Sequence, residues 1–295
     1  MTVPLVTVFG SLHYDIMVDA PDRPRKGETV TGHAWQPKCG GKGGNQAVSA
    51  ARAGVRAAMI GAVGDDDFGT ALLANLDRAG VDRRFVRVAA GAGSGMSVAI
   101  FDSDGDYGAV IVSGSNLTLG GDDIAAAGEV VVRTAVLLLQ NEVPDAANIA
   151  AARAVKASGG CVVLNAAPAR TLSAELTALI DIVIVNAIEA EFLAGIPVVD
   201  TLAGATEAAR RLIDAYPSAI VTAGGEGVAY CDRTAAFALA AIPVKVASTH
   251  GAGDEFVGAF AAGLARGHPV EAAIATANAA AASLVATPEG ERSSR

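Results

Sequence analysis

The sequence predicts an α/β fold: a parallel sheet sandwiched by helices, with a small second β-sheet standing off it as a lid. Three observations carry this reading. Short apolar runs recur along the chain, helical patterns fill the intervals between them, and two stretches without an intervening helix break the rhythm. The 295 residues suit a single domain of that kind, covering 1–295 with lid strands inserted at about 12–38 and 95–114.

In chain order, "PLVTVFG" (4–10) reads as a buried strand, apolar throughout and stopped by Gly. "AAMIGAVG" (57–64), "AVLLLQNE" (135–142), "CVVLNAAP" (161–168), "DIVIVN" (181–186) and "AIVTAG" (219–224) repeat that form. Between them, "NQAVSAARAG", "FGTALLANLDRAG", "AANIAAARAVKASG" and "ATEAARRLIDAY" have the spacing of helices, and the first three close on Gly. "AAIATANAAAASLVA" (272–286) predicts a tightly packed Ala-rich helix. The interruptions are "ETVTGHAWQPK" (28–38) and "GMSVAIFDSDGDYGAVIVSG" (95–114), the second a hairpin turned at Asp104-Gly105. A lid is the natural reading; an edge hairpin on the main sheet is the alternative. Met96, Val98 and Ile100 alternate with Ser97 and Ala99, so one face of that strand can cover a substrate. Trp35 reads as lid core or interface.

Hydrophobic residues make up 52% of the chain and aromatics only 4%, so the core is built from Ala, Val, Leu and Ile. A net charge of −9 argues against a nucleic-acid or anionic-membrane surface, since both need a basic footprint. Phosphate must then be bound locally, by backbone N–H groups and one or two cations. Cys39, Cys161 and Cys231 are odd in number and form no CxxC pair, the pattern of a reducing compartment without thiolate-bound metal. The N-terminus has no basic segment before its apolar run and no run approaches membrane-spanning length, so the expected location is the cytoplasm. His33 and His268 have no partner at metal-ligand spacing and are expected to be exposed.

Chemistry concentrates in three places. In "STHGAGDEFVGAF" (248–260), Gly251, Ala252 and Gly253 open a helix whose N–H groups and dipole favour an anion. Asp254 then places a carboxylate beside that anion site. As a general base taking a proton from an attacking hydroxyl it has a reason to be there; a simple helix-start acid is the plain alternative. In "CGGKGGNQAVSAARAG" (39–54), Gly40, Gly41, Gly43 and Gly44 permit close ligand approach, and Lys42 and Asn45 stand at the head of a helix. The loop is not a Walker A sequence, and a plain Gly-rich turn is its alternative reading. Asp15 in "VFGSLHYD", Glu142 after "LLLQ", and Asn186 with Glu189 in "NAIEAE" all follow strand ends, where open α/β sheets bind ligands. Singly each reads as a surface or capping residue; together they ring one sheet edge.

"GGKGGNQA" and "GAGDEFVGAF" resemble the paired signatures of the ribokinase/PfkB family of carbohydrate kinases, and the likeness is greatest to its ribokinase branch. It extends through "PRKGETVTG", "VGDDDFG", "NAAPAR", "NAIEAEFLAG" and "VTAGGEGV", over nearly the whole chain. The resemblance implies a Rossmann-like domain with a β-sheet lid that often forms a homodimer interface. It also implies ATP- and Mg²⁺-dependent phosphorylation of a primary hydroxyl on a small sugar, ribose to ribose 5-phosphate. By matched position it makes Asp254 the catalytic base and Gly251, Ala252 and Gly253 the anion hole. His13, Asp15, Gly41, Lys42, Gly43, Asn45 and Glu142 become sugar contacts. Asn186, Thr222, Ala223, Gly224, Gly225, Glu226, Gly227, Gly253 and Asn278 become ATP contacts. Glu189 would organise Mg²⁺ through water.

The chain departs from the family pattern in three ways. His13 stands where ribokinases usually have Asn, and with Tyr14 it suggests a bulkier, partly aromatic site. This keeps open a nucleoside kinase (including a pseudouridine-type enzyme), a fructokinase, or a non-catalytic sugar sensor. Ser248 replaces an Asp that helps bind an activating K⁺, so a monovalent-cation site at Ser248, His250 and Gly290 is expected to be weakened. A protonated His250 would add positive charge there. Finally, the given sequence ends with "ATPEGERSSR", where ribokinases are expected to continue into a further helix.

Overall fold

A computed structural model describes residues 4–103, 107–197 and 199–294. Its strands are β1 (Leu5–Phe9), β2 (His13–Asp19), β3 (Ala34–Gly40), β4 (Arg56–Gly64), β5 (Asp82–Ala89), β6 (Gly95–Phe101), β7 (Tyr107–Val112), β8 (Val136–Gln140), β9 (Cys161–Asn165), β10 (Ile182–Asn186), β11 (Ser218–Thr222), β12 (Gly227–Asp232) and β13 (Ala236–Ala240). The helices are α1 (Lys42–Arg52), α2 (Asp67–Arg78), α3 (Gly121–Ala126), α4 (Gly128–Val131), α5 (Asp145–Ala157), α6 (Ala174–Thr177), α7 (Ala187–Ala194), α8 (Leu202–Leu212), α9 (Ala252–Ala265) and α10 (Val270–Val285).

Nine strands form the main sheet in the order β13-β12-β11-β10-β9-β8-β1-β4-β5. Every pair from β11 across to β5 is parallel, while β12 and β13 add antiparallel strands at one edge. β1 and β8 are buried at every residue, which is why their sequences are apolar without alternation apart from Thr7 and Gln140. Along β8, Leu137 and Leu139 join the core on one face with Ala151, Val155 and Ala208, while Val136 and Leu138 join the other with Ala47, Phe260 and Ile274. The helix-covered parallel sheet expected from the sequence is thus the observed one.

The lid is a separate sheet in the order β3-β2-β6-β7. It does not extend the main sheet, which sets aside the edge-hairpin alternative. β2 pairs antiparallel with β3 and parallel with β6, and β6 pairs antiparallel with β7. The strand expected over 28–38 begins only at Ala34 and continues to Gly40, because its partner β2 ends at Asp19, opposite Ala34. The Asp104-Gly105 turn lies outside the described residues.

α1 and α9 pack unusually close. A Cβ on Gly258 would lie 2.5 Å from Ser49 Cβ and 2.7 Å from the Gln46 carbonyl oxygen. The Ser49 hydroxyl donates to Glu255 O at 2.9 Å. This contact fixes the two Gly-rich helix starts against each other. Among the described residues no helix is long and apolar enough to cross a membrane.

Candidate active site

The carboxyl ends of β1, β8, β9, β10 and β11 open towards one side, and the chain climbs from β1 through Gly10, Ser11 and Leu12 into the lid. Gly41 caps α1 with φ +81°, a backbone state that favours Gly, and a Cβ there would lie 2.6 Å from His13 N. Gly43 is equally constrained, since its Cβ would lie 2.7 Å from Ser11 N. The first turn of α1 therefore lies directly on the β1–β2 link, with Gly44 N donating to Ser11 O at 2.9 Å. Glu142, just past β8, accepts from Lys42 N at 3.0 Å and from the Ser11 hydroxyl.

His13 and Asp15 share one face of β2. His13 is buried; its Nδ1 is 3.9 Å from Glu142 and its Nε2 has no hydrogen-bond partner. Asp15 accepts from the Ser97 hydroxyl at 2.5 Å, across the β2–β6 pair. A side chain at Gly40 would collide with Asp15 Oδ2, so this Gly leaves room for the carboxylate. Burial pushes the Asp15 carboxyl up, opposed by the Ser97 hydrogen bond and by His13. Tyr14 projects from the other face and stacks on Phe68 with ring centres 4.5 Å apart. Tyr14 thus lies on the face opposite His13 and Asp15, and it lines a cleft shared with Asn45 and Gly251.

Asp254 lies in the first turn of α9, after Gly251 at φ +80°. It is buried, and α1 holds both of its oxygens: Asn45 Nδ2 donates to Oδ2 and Gln46 Nε2 to Oδ1, each at 3.0 Å. Gln46 Nε2 also donates to Asn165 Oδ1 at 3.0 Å, and Gln140 Nε2 donates to Gln46 Oε1 at 2.7 Å. Burial raises the Asp254 carboxyl; Lys42, Asn45 and Gln46 act against that and Glu142 adds to it. The sequence reading missed Gln46, Gln140 and Asn165. The signals available were position: Gln46 follows Asn45 within "GGKGGNQA", Gln140 precedes Glu142 by two residues, and Asn165 opens "NAAPAR". In the anion loop, Ala252 N is engaged with Thr249 O at 3.2 Å. Gly253 and Asp254 supply first-turn N–H groups that have no intrahelical acceptor by position.

Asn186 and Glu189 form a capping box on α7: Glu189 N donates to Asn186 Oδ1 at 2.9 Å, and Asn186 N donates to Glu189 Oε2 at 2.8 Å. Glu189 is buried and raised by desolvation, with Lys42 opposing and Asp254 adding repulsion. The Lys42 charge therefore acts on both acids. Among the described residues no group of three or more His, Cys, Asp or Glu could hold a metal ion. One committed oxygen and a desolvated carboxylate near a second acid suit a hydrated Mg²⁺ better than a direct cage.

Thr222 pairs with Asn186 across β10 and β11. The turn that follows contains Gly224, Gly225 and Glu226 in a 3₁₀ helix and ends at Gly227 with φ +127°, where a Cβ would strike Leu239 O. Ala223 N donates to Gly227 O at 2.8 Å, closing the turn. Asn278 on α10 donates to Ala240 O at 3.0 Å, at the end of the neighbouring hairpin.

Around the expected monovalent-cation position, the Ser248 hydroxyl donates to Glu289 Oε1 at 2.5 Å, and Lys38 Nζ donates to Glu289 Oε2 at 3.1 Å. Gly290 lies in the same C-terminal 3₁₀ helix (Glu289–Ser294). Desolvation, followed by the Lys38 charge, shifts His250 below its ordinary value. That shift works against the positive charge a protonated His250 would add there.

The chain matches the description "pfkB family carbohydrate kinase" over residues 3–294. It is 35% identical to the ribokinase of Bacillus subtilis over 283 residues, covering 94% of this chain and 91% of that protein. It is 34% identical to the deoxyribokinase of Salmonella typhi over 271 residues, covering 91% and 88%. The solved structure of Arabidopsis thaliana ribokinase complexed with ribose and ATP superposes with a TM-score of 0.90 at 32% identity, covering 97% of this chain and 94% of that one. With these matches spanning both Gly-rich helix starts and the lid, the chain belongs to the pfkB family of carbohydrate kinases, phosphotransferases with an alcohol group as acceptor.

Proposed function

We propose that this protein is an ATP-dependent sugar kinase that converts ribose to ribose 5-phosphate. The observation that carries the reading is Asp254: a buried carboxylate, held by Asn45 and Gln46, at the foot of an N–H-rich helix start. In this reading His13, Asp15, Gly41, Lys42, Gly43, Asn45 and Glu142 bind the sugar hydroxyls. His13 Nε2 is buried without a protein partner, which suits a hydroxyl. The primary hydroxyl gives its proton to Asp254 as its oxygen bonds to the γ-phosphorus, and the bond from phosphorus to the β-phosphate oxygen breaks to release ADP. The N–H groups of Gly253 and Asp254, with Lys42, meet the charge that develops on the phosphoryl oxygens. Asn186, the 222–227 turn, Gly253 and Asn278 bind ATP. Glu189 would hold Mg²⁺ through water, and that ion supplies charge neutralisation on the nucleotide phosphates. The lid, bearing Asp15, excludes competing water.

A second reading is 2-deoxyribose, favoured by the similarity to a deoxyribokinase at nearly the same identity. The nucleoside, fructokinase and sensor readings are separated from it by one assay. ADP release should be measured with ribose, 2-deoxyribose, fructose and a set of nucleosides. Highest kcat/KM on ribose is expected; higher values on a nucleoside or fructose, or no ADP release with any of them, would overturn the proposal. We place the protein in the cytoplasm, and we assign a homodimer formed through the lid, whose outer face exposes Trp35 and Val110.

A further inference from the structure

We infer that Arg292 is a tethered replacement for a monovalent cation: its guanidinium fills a cradle of backbone carbonyls directly ahead of the anion loop, so phosphoryl transfer runs without K⁺ and depends on Arg292 instead. Arg292 Nη2 donates to Ser248 O at 2.7 Å, Nη1 to His250 O at 2.6 Å, and Nε to Thr287 O at 2.9 Å. Two of these carbonyls belong to the segment that runs into Gly251; the third follows the end of α10. The guanidinium meets all three carbonyls with donors in a fixed fork and brings a positive charge to them.

The side chains around the cradle do not fit a bound K⁺. Ser248 offers no charge, and its hydroxyl is turned onto Glu289, which is also paired with Lys38. A metal cation at these carbonyls would sit against the guanidinium and be repelled by it. Arg292 is the cation hydrogen-bonded to these oxygens. Its bonds are charge-assisted and fix the backbone at 248–250. That segment sets Gly251 at φ +80° and so aims the N–H groups of the following turn. Arg292 is therefore a positioning residue, acting on the anion loop through its carbonyls.

His250, Gly251, Glu289, Gly290 and Arg292 line a cleft of about 810 Å³, so the guanidinium and one of its carbonyl partners, that of His250, border open space. This makes a rescue experiment possible. The rate arm rests on the kinase reading above; a thermal arm does not. Wild type, Arg292→Ala and Arg292→Lys should be compared in potassium chloride, tetramethylammonium chloride and guanidinium at low millimolar concentration. Wild type should show the same kcat and the same thermal midpoint in potassium and in tetramethylammonium. In tetramethylammonium, Arg292→Ala should lose on the order of tenfold in kcat with little change in sugar KM. Potassium or guanidinium should then restore much of that rate and raise the midpoint of the variant only. Activation or thermal stabilisation of wild type by potassium would overturn the inference. So would an undiminished Arg292→Ala rate in tetramethylammonium, or a loss that neither cation restores. Should Arg292→Ala fail to fold, Arg292→Lys and the wild-type comparison decide the same question. A wild type inactive in every salt would count against the kinase reading, while its midpoint would still judge Arg292.

Discussion

Gln46 shows how one buried amide governs a catalytic carboxylate. Its Nε2 is shared between Asp254 and Asn165, and Gln140 holds its oxygen. Burial raises Asp254 above the ordinary value of 3.8, and the Gln46 hydrogen bond is one of the contributions pulling it back. A base acts as carboxylate, so kcat/KM falls as pH drops through that raised value. Gln46→Ala removes a lowering contribution, and the acid limb of the pH–rate profile should move to higher pH; an unmoved limb would contradict this assignment. Asp254, Lys42 and Asn45 were legible in the sequence because glycines flank them. Gln46, Gln140 and Asn165 were not, since each sits within or at the end of an otherwise apolar pattern and only tertiary packing joins them. The role of Arg292 was equally hidden, because its partners are main-chain carbonyls, which sequence does not distinguish.

At the scale of elements, the separation of α1 and α9 is set by Gly258 against Ser49 and the Gln46 backbone. Gly258→Ala forces a methyl group into that contact. Overpacking of this kind costs about 1–3 kcal/mol, measurable by urea unfolding, and should also lower kcat because Asn45 and Gln46 are displaced from Asp254. Full stability with full kcat would mean that the contact is not what sets the site. Gly41→Ala is expected to be worse tolerated than a substitution at exposed Gly159, although both have positive φ. At Gly41 the new Cβ also meets the β1–β2 link, whereas at Gly159 it meets nothing within 4 Å. The central parallel strands were legible because burial on both faces makes them continuously apolar. β5, with three arginines and an aspartate among its residues, and the antiparallel edge pair β12 and β13 were not. The charges of β5 break its apolar pattern, while β12 and β13 are apolar runs whose antiparallel pairing depends on neighbours that the local pattern does not name.

For the whole molecule, the lid has two chemically different faces. One carries Asp15 and Ser97 towards the site; the other carries Ile16, Val18, Trp35, Pro37, Val98 and Val110. Trp35 is 68% exposed and so is Val110, which is costly for a monomer in water. Trp35 is therefore not lid core in the single chain. Light scattering should give twice the mass of one chain for wild type and a single-chain mass for Trp35→Glu. A monomeric wild type would contradict the lid-mediated dimer. The sequence indicated a lid but not its order, since β2 and β6 pair in parallel across some eighty intervening residues.

The most direct test of the account is steady-state ADP release by Asp254→Asn with ribose and ATP, read beside calorimetric ribose binding. The account predicts a fall in kcat of about 10²–10⁴-fold with ribose affinity nearly unchanged. A rate close to wild type would contradict it.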